Sequence, residues 1–406
     1  MEFREFIISE LCDIKSGKRL PKGKDFVDRE NGFNQYIRSR NVKNGKIMND
    51  DIPYIDKDTF EKIKKYIINA GDIAITIVAN IGDVGICPFE LSGFNLTENC
   101  AKLTNFIDCV NSRYLNYYLS QSFMKEYMFN RSIGAAQAKL GLSKIAKIIV
   151  CLPELDIQTK IVDIVLKYDQ LIENNNSRIK VLESIAEELY KEWFVRFRFA
   201  GYESVQFENG IPKGWKLVKL NDIALEVDKP INRENRYQYK YYVPIECLPN
   251  KSMGLVDVDN IENAESSLIS FQKKNILFGA MRPYFHKVIY SPIEGITRTT
   301  CFVLDAKNDL YREWLYLTMY QKFTVDFANT VSVGSTMPYV RWKDLNRMKI
   351  CLPSKDIIAK FNILIQPILN KINSYFDINK NLIKQRDSLL PRLMSGKLSV
   401  EGKEII

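Results

Sequence analysis

The dominant pattern along the chain is one apolar stripe with a helical period. Between 154 and 196, Ile157, Ile161, Ile164, Tyr168, Leu171, Asn175, Ile179, Leu182, Ala186, Leu189 and Trp193 recur at steps of three and four. That spacing predicts one amphipathic helix over about six heptads. Glu183, Glu187, Glu188 and Lys191 fill its polar side, and Pro153 suits a helix start. Forty-odd residues at 1.5 Å rise make a rod of about 60 Å. A second stripe runs over 354–394 through Ile357, Phe361, Leu364, Ile368, Ile372, Tyr375, Asn379, Leu382, Leu389 and Leu393. Pro367 is expected to kink or interrupt its first turns. Pro391, followed by Ser395 and Gly396, marks its expected end. Each rod has a single seam, so the simplest arrangement pairs them. Asn175 and Asn379 lie on those seams, where they either fix register or turn outward as the stripe drifts.

The two rods are copies. C-L-P-E-L-D-I-Q-T-K at 151–160 returns as C-L-P-S-K-D-I-I-A-K at 351–360. The register persists through Ile172/Ile372, Lys180/Lys380, Leu182/Leu382 and Leu189/Leu389, and backwards to S-I-G (132–134) against S-V-G (332–334). A period of about 200 residues is a domain plus a connector, since solenoid units repeat every ~20–50.

The segments before each rod read differently. Short β-like runs such as Ile73–Ala79, Ile148–Leu152, Tyr241–Ile245, Val288–Tyr290 and Met348–Leu352 are split by Gly, Asn, Asp and Pro. Each half also holds one helix candidate, Ser112–Tyr127 and Tyr311–Phe323, and they share an opening, S-E-L-C-D-I (9–14) against V-K-L-N-D-I (218–223). The expected fold class is α+β: two mixed α/β domains, 1–150 and 200–350, and two long helical segments, 151–199 and 351–406. The helices form an antiparallel coiled coil under a pseudo-two-fold repeat. Ala200–Gly214 is the linker. That symmetry puts the two heads at opposite ends of a spacer of fixed length.

Composition narrows the class only a little. Net charge is +9, which suits an ordinary solvated surface or a polyanion partner equally. Among eight cysteines there is no C-x-x-C, and His286 is the only histidine, so structural zinc is not expected. The start, M-E-F-R-E-F-I-I-S-E, lacks the apolar run of a signal peptide. Ile73–Ile81, the most apolar window, is too short to span a bilayer. A cytoplasmic chain with reduced thiols and no membrane partner is the expectation.

Several short motifs, in order and repeated, carry a resemblance. They are L-C-D-I-K-S-G-K-R-L-P-K-G (11–23), G-A-A-Q-A-K-L-G-L-S (134–143), E-L-Y-K-E-W-F-V-R-F (188–197), G-W-K-L-V-K-L-N-D-I-A (214–224), N-I-L-F-G-A-M-R-P-Y (275–284) and L-L-P-R-L-M-S-G-K-L (389–398). With this architecture the chain resembles the specificity subunit of type I restriction-modification systems over essentially its whole length. The resemblance implies two target recognition domains, each reading one half of a split sequence on double-stranded DNA. It implies helices that space them and dock two methyltransferase subunits, with restriction/translocase subunits joining the complex. S-adenosylmethionine, ATP and Mg are then used through other subunits, and this chain has no chemistry of its own. The residues agree. There is no G-x-x-x-x-G-K-[ST], no N-P-P-[FY], no G-x-S-x-G and no second histidine for a triad. Asp13-Ile14-Lys15 forms a D-x-K, but no Pro-Asp precedes it.

Base readout needs bidentate donors and acceptors in the major groove and cations on the backbone. In the first head the candidates are Lys18, Arg19, Lys22, Lys24, Arg38, Arg40, Asn41, Lys43, Lys46, Arg131, Gln137 and Lys139. In the second they are Arg233, Arg236, Gln238, Arg282, His286, Lys287, Arg298, Ser335, Thr336 and Arg341. The plain alternative for each is a solvated loop charge, and for the turns at Gly134 and Gly334 a structural role in which glycine permits an unusual backbone. The heads differ more than the rods, which fits an asymmetric target whose half-sites lie about one turn, ~34–36 Å, apart. For partner docking the candidates are Tyr190, Trp193, Phe194, Phe197, Leu390, Leu393 and Met394, set against a role in closing the seam or packing on a head. The competing readings are a fused enzyme with unrecognised catalytic motifs, and a coiled-coil scaffold with two protein-binding heads.

Overall fold

The computed structural model describes residues 2–132 and 138–400. The chain forms two compact units, Met1–Asp169 with Gln385–Ile406, and Gln170–Lys384. Two long helices, α1 (Leu155–Tyr190) and α2 (Lys355–Met394), contribute to both.

In unit 1 a six-stranded sheet has the order Asp13–Ser16, Cys100–Thr104, Ile73–Thr76, Val84–Ile86, Gly45–Ile47, Val42–Lys43. Strand Ile73–Thr76 is buried throughout because both faces are covered. Ile73 and Ile75 enter the core shared with α1, while Ala74 enters a second core with Ile37, Val42 and Leu96. The period of two places alternate side chains on opposite faces.

Unit 2 repeats the first four strands of that order: Ala224–Glu226, Cys301–Ala306, Ile276–Gly279, Val288–Tyr290. Ile276 and Phe278 face one core and Leu277 the other. An antiparallel strand pair closes each unit, Arg4–Ile7 on Ile149–Leu152 and Lys216–Lys219 on Lys349–Leu352. The duplication read at the helices therefore extends to four sheet strands and the closing pair of each unit.

The helix pairing is antiparallel in unit 2. Asn175 meets Asn379, and towards the other end Tyr190 packs on Phe361. In unit 1, Ile161, Val162 and Val165 of α1 share a core with Leu393 and Met394 of α2. There Asp169 takes a hydrogen bond from Arg386 (2.7 Å) and one from Tyr117 (2.5 Å).

Four local expectations change. Helix α2 runs unbroken through Pro367 and Pro391. At Pro367 the lost hydrogen bond is to the carbonyl of Ile363, whose residue is 73% exposed, so water is at hand. The expected helix Ser112–Tyr127 is two, Ser112–Leu119 and Ser122–Ser132, and its counterpart is Arg312–Tyr320 and Lys322–Thr330. The break falls at Gln121 and Gln321; Gln321 is extended (ψ 147°), and each carbonyl starts the next helix by accepting from the amides three and four residues on. Tyr241–Ile245 is not a strand. Only Tyr242 bridges to neighbours, and Pro244 has no amide to give. The segment 200–214 is not bare linker, since Phe207–Glu208 and Ile211–Pro212 pair around Asn209 and Gly210, both at positive φ.

Candidate nucleic-acid interface

In unit 1 the arginines converge on one concavity of about 330 Å³ lined by Arg19, Phe26, Tyr36, Arg38, Arg40 and Glu98, among others. Strand Asn34–Ile37 delivers Arg38, and a 3-10 turn, Ser39–Asn41, carries Arg40. Asn41 shapes this turn instead of facing outward. It is buried, its side-chain carbonyl accepts from Arg38 N (3.1 Å) and its amide donates to Asp50 O (2.8 Å). Arg38 Nη2 donates to Asp51 O (2.5 Å), and Arg40 pairs with the Asp51 carboxylate. Two guanidiniums on one carboxylate leave a net positive charge. Burial and the neighbouring Arg40 lower the Arg38 pKa, so the two repel and would gain from an anion. Phe26 lies under Arg38 at 5.5 Å.

Across the concavity, Arg19 donates to Glu98 (2.6 Å). Burial pushes the Glu98 carboxyl up, but the bonds from Arg19 and Thr97 outweigh it and hold it below the usual range. Tyr36 donates to Lys18 O (2.6 Å), and burial pushes its phenol up to about 12, so it stays a donor.

The other unit 1 candidates lie around this group. Lys43 and Lys46 face each other across a tight hairpin whose Asn44 and Gly45 both have positive φ, and both lysines are exposed. Lys18 and Lys22 are exposed, whereas Lys24 is held by Asp56 (3.0 Å) and Asp58 (2.9 Å). Arg131 sits over Tyr127 at 4.4 Å near a helix end, and Lys139 is exposed. Gln137 and Gly134 lie outside the described residues.

Unit 2 sorts its candidates into two groups and a remainder. Arg282 N donates to Pro338 O (2.7 Å), which sets the turn Pro283–Phe285 beside the hairpin tip that exposes Ser335 and Thr336. Elsewhere, Arg236 stacks on Tyr237 (4.7 Å) and reaches Ala264 O (3.4 Å). Next to it Arg298 joins Glu246, Asp257 and Asp259 around a cavity of about 570 Å³. Arg233 is exposed, Gln238 bonds Asn235 (3.4 Å), and Arg341 is tied to Asp344 (2.6 Å).

His286 and Lys287 are not free readers. The His286 ring is buried against Tyr320 (4.7 Å), and its Nε2–H donates to Tyr320 O (2.7 Å). Lys287 Nζ donates to Ile245 O (2.7 Å).

The aromatic docking candidates also turn inward. Tyr190, Trp193 and Phe194 are buried with Phe361 in the core of unit 2, and Phe197 packs on Trp215. Leu393 and Met394 are buried in unit 1, with Leu390 packed beside them. The stripe that marks them is the seam itself, so periodicity alone selects core residues. The apolar side chains these helices leave outside in unit 2 are Leu171, Val181, Ile185, Ile363, Leu364 and Ile378.

Sequence reasoning also missed the acids that aim the cations, Asp51 and Glu98, and it missed Glu183. That buried α1 carboxylate accepts from Ser252 Oγ (2.6 Å), Met253 N (2.6 Å) and Gly254 N (3.3 Å). Its only sequence signal was an acid one step off the apolar stripe.

A family model described as the type I restriction modification DNA specificity domain matches residues 1–184 and 212–386. The type I restriction enzyme MjaIX specificity subunit of Methanocaldococcus jannaschii is 28% identical over 348 residues, covering 82% of this chain and 78% of that one. The HindI specificity subunit of Haemophilus influenzae is 22% identical over 447 residues, covering 92% and 97%. The crystal structure of a type I restriction-modification S subunit from M. genitalium aligns over 97% of this chain and 96% of its own with a TM-score of 0.57 at 16% identity, a likeness of fold. Among the described residues no helix is long and apolar enough to cross a membrane, and no cluster of His, Cys, Asp and Glu could hold a metal.

Proposed function

The chain belongs to the type I restriction modification DNA specificity domain family, and from that premise we propose that it reads a split, asymmetric DNA target, one half-site per unit, while its long helices dock the methyltransferase and restriction subunits. It is a specificity subunit, a non-catalytic DNA-recognition part of such a complex. The chemistry, with S-adenosylmethionine, ATP and Mg, belongs in this reading to the other subunits.

The observation that carries the proposal is a fold repeated with its scaffold kept and its outer face changed. Four sheet strands and the closing pair recur, but unit 1 presents Arg19, Arg38 and Arg40 where unit 2 presents a different set. Equivalent scaffolds suit equivalent protein partners, and unlike faces suit unlike base sequences. In unit 1 a doubled guanidinium beside an aromatic ring supplies the planar donors that grip a guanine edge or a phosphate. For the partners, Val181, Ile185, Ile363 and Leu364 offer exposed apolar surface on the helices.

Expression with the cognate methyltransferase in a host lacking adenine methylation, followed by mapping of the methylated sites, tests this. A bipartite motif with two different halves is expected. A continuous or palindromic motif, or no methylation, would contradict it.

A further inference from the structure

The loop joining Ile276–Gly279 to Val288–Tyr290 is pinned at both ends in a conformation few side chains adopt. Arg282 (φ 50°) and His286 (φ 54°) are both left-handed, flanking the turn Pro283–Phe285. The bonds that hold it include Arg282 N to Pro338 O (2.7 Å), Lys251 N to His286 O (3.0 Å), and the His286 ring to Tyr320 O (2.7 Å). A turn fixed so firmly would be expected to bury its apolar side chains. Instead Tyr284 is 49% exposed and Phe285 39%, with ring centroids 4.7 Å apart, and Met337, 54% exposed, stands on the adjoining hairpin.

Unit 1 builds the same loop the other way. Between Ile73–Thr76 and Val84–Ile86, Ala79 is again left-handed (φ 64°), yet the apolar residues Ile77 and Ile81 point inward and are buried. The outward rings are thus peculiar to unit 2 and are not required by the scaffold. The cation beside them is Arg282, since Lys287 is held by Ile245 O, Arg341 by Asp344, and on the helix Lys322–Thr330, packed against the turn, Lys322 pairs with Asp326. The segments 280–287 and 331–341 themselves contain no Asp or Glu.

We infer that Tyr284 and Phe285 form a rigid wedge that presses between, or stacks upon, bases of the half-site read by unit 2, with Met337 beside them and Arg282, Ser335 and Thr336 on the flanking backbone. Flat rings held on a stiff turn lose little entropy on stacking, and apolar wedges unstack duplex steps in this way. The inference rests on the reading of unit 2 as a DNA reader, and it adds that the half-site is deformed as it is read.

The test uses the full chain with its methyltransferase on duplexes carrying 2-aminopurine at successive positions of the mapped target. For the wild type, fluorescence should rise at one step in the unit 2 half-site other than the base that is methylated. Tyr284→Ala with Phe285→Ala should abolish that rise, weaken binding roughly ten-fold, and leave readout of the other half-site unchanged. Should the double variant not fold, Phe285→Ser alone is scored the same way. A rise that persists in the variant, or no rise in the wild type, overturns the wedge while the specificity reading stands. Loss of the methyltransferase from the variant complex also overturns it, by making the turn a protein contact. Failure of the wild type to methylate a bipartite target would instead remove the reading beneath it.

Discussion

The side-chain amide of Asn175 donates to the side-chain carbonyl of Asn379 at 2.8 Å, and Asn379 in turn donates to Asn176 at 3.0 Å. Two polar residues on a mostly apolar seam thus find partners across it. Such a pair gives up some stability and penalises any slipped register, because a slip would bury unpaired amides. Asn175→Ala is expected to cost about 1–3 kcal/mol by stranding its partner. Replacing both residues by Leu should restore or raise stability. Urea titration of the single and double variants measures the coupling.

Glu183 ties α1 to the loop at 252–254 of unit 2, and Gly254 fits between Ile179 and Ile372, where a Cβ would lie 3.4 and 3.5 Å from their methyl carbons. Hydrogen bonds to an ionised group contribute about 1.5–3 kcal/mol each. Glu183→Ala is therefore expected to destabilise unit 2 by at least about 2 kcal/mol. Hydrogen exchange at the amides of Met253 and Gly254 should quicken first.

Arg386 plays the corresponding part in unit 1. Its guanidinium bonds Asp169, whose side chain is 10% exposed, and Tyr117 donates to the same carboxylate. Arg386→Met leaves a buried charge with only the phenol, a loss of about 3 kcal/mol. Adding Asp169→Asn should recover part of it, as thermal melts of the two variants would show.

His286 gives the chain a pH dependence. Burial holds its pKa below the ordinary value of about 6.5. The folded state keeps the ring neutral while the unfolded chain takes a proton, so the unfolded state binds more protons below about 6.5. Stability therefore falls as pH drops through that value and levels off once the lower native pKa is passed. His286→Gln should flatten the dependence of the unfolding free energy on pH in that window.

The helices and the duplication were legible because their signals are long: a 3.6 period needs only the order of residues, and a copy 200 positions away needs only comparison. The helix break at Gln321 was not, because it depends on one residue adopting an extended conformation whose reward is a new helix cap. Among the site residues, Arg19, Arg38 and Arg40 were visible as charges, but their convergence came from strand pairing that brings Thr97–Asn99 beside Tyr36. Asn41 and His286 were read as outward donors and turned inward, since a polar side chain with a backbone partner packs as well as an apolar one. The aromatics at 190–194 failed for the opposite reason. A ring on a seam looks the same in sequence whether a second protein or the chain itself covers it.

The most direct test of recognition by halves is to replace residues 1–150 with the matching segment of another family member and map methylation by the resulting complex. One half of the motif should change to that of the donor while the other half stays as it was. A chimera that kept both halves, or altered both, would contradict the assignment of one half-site to each unit.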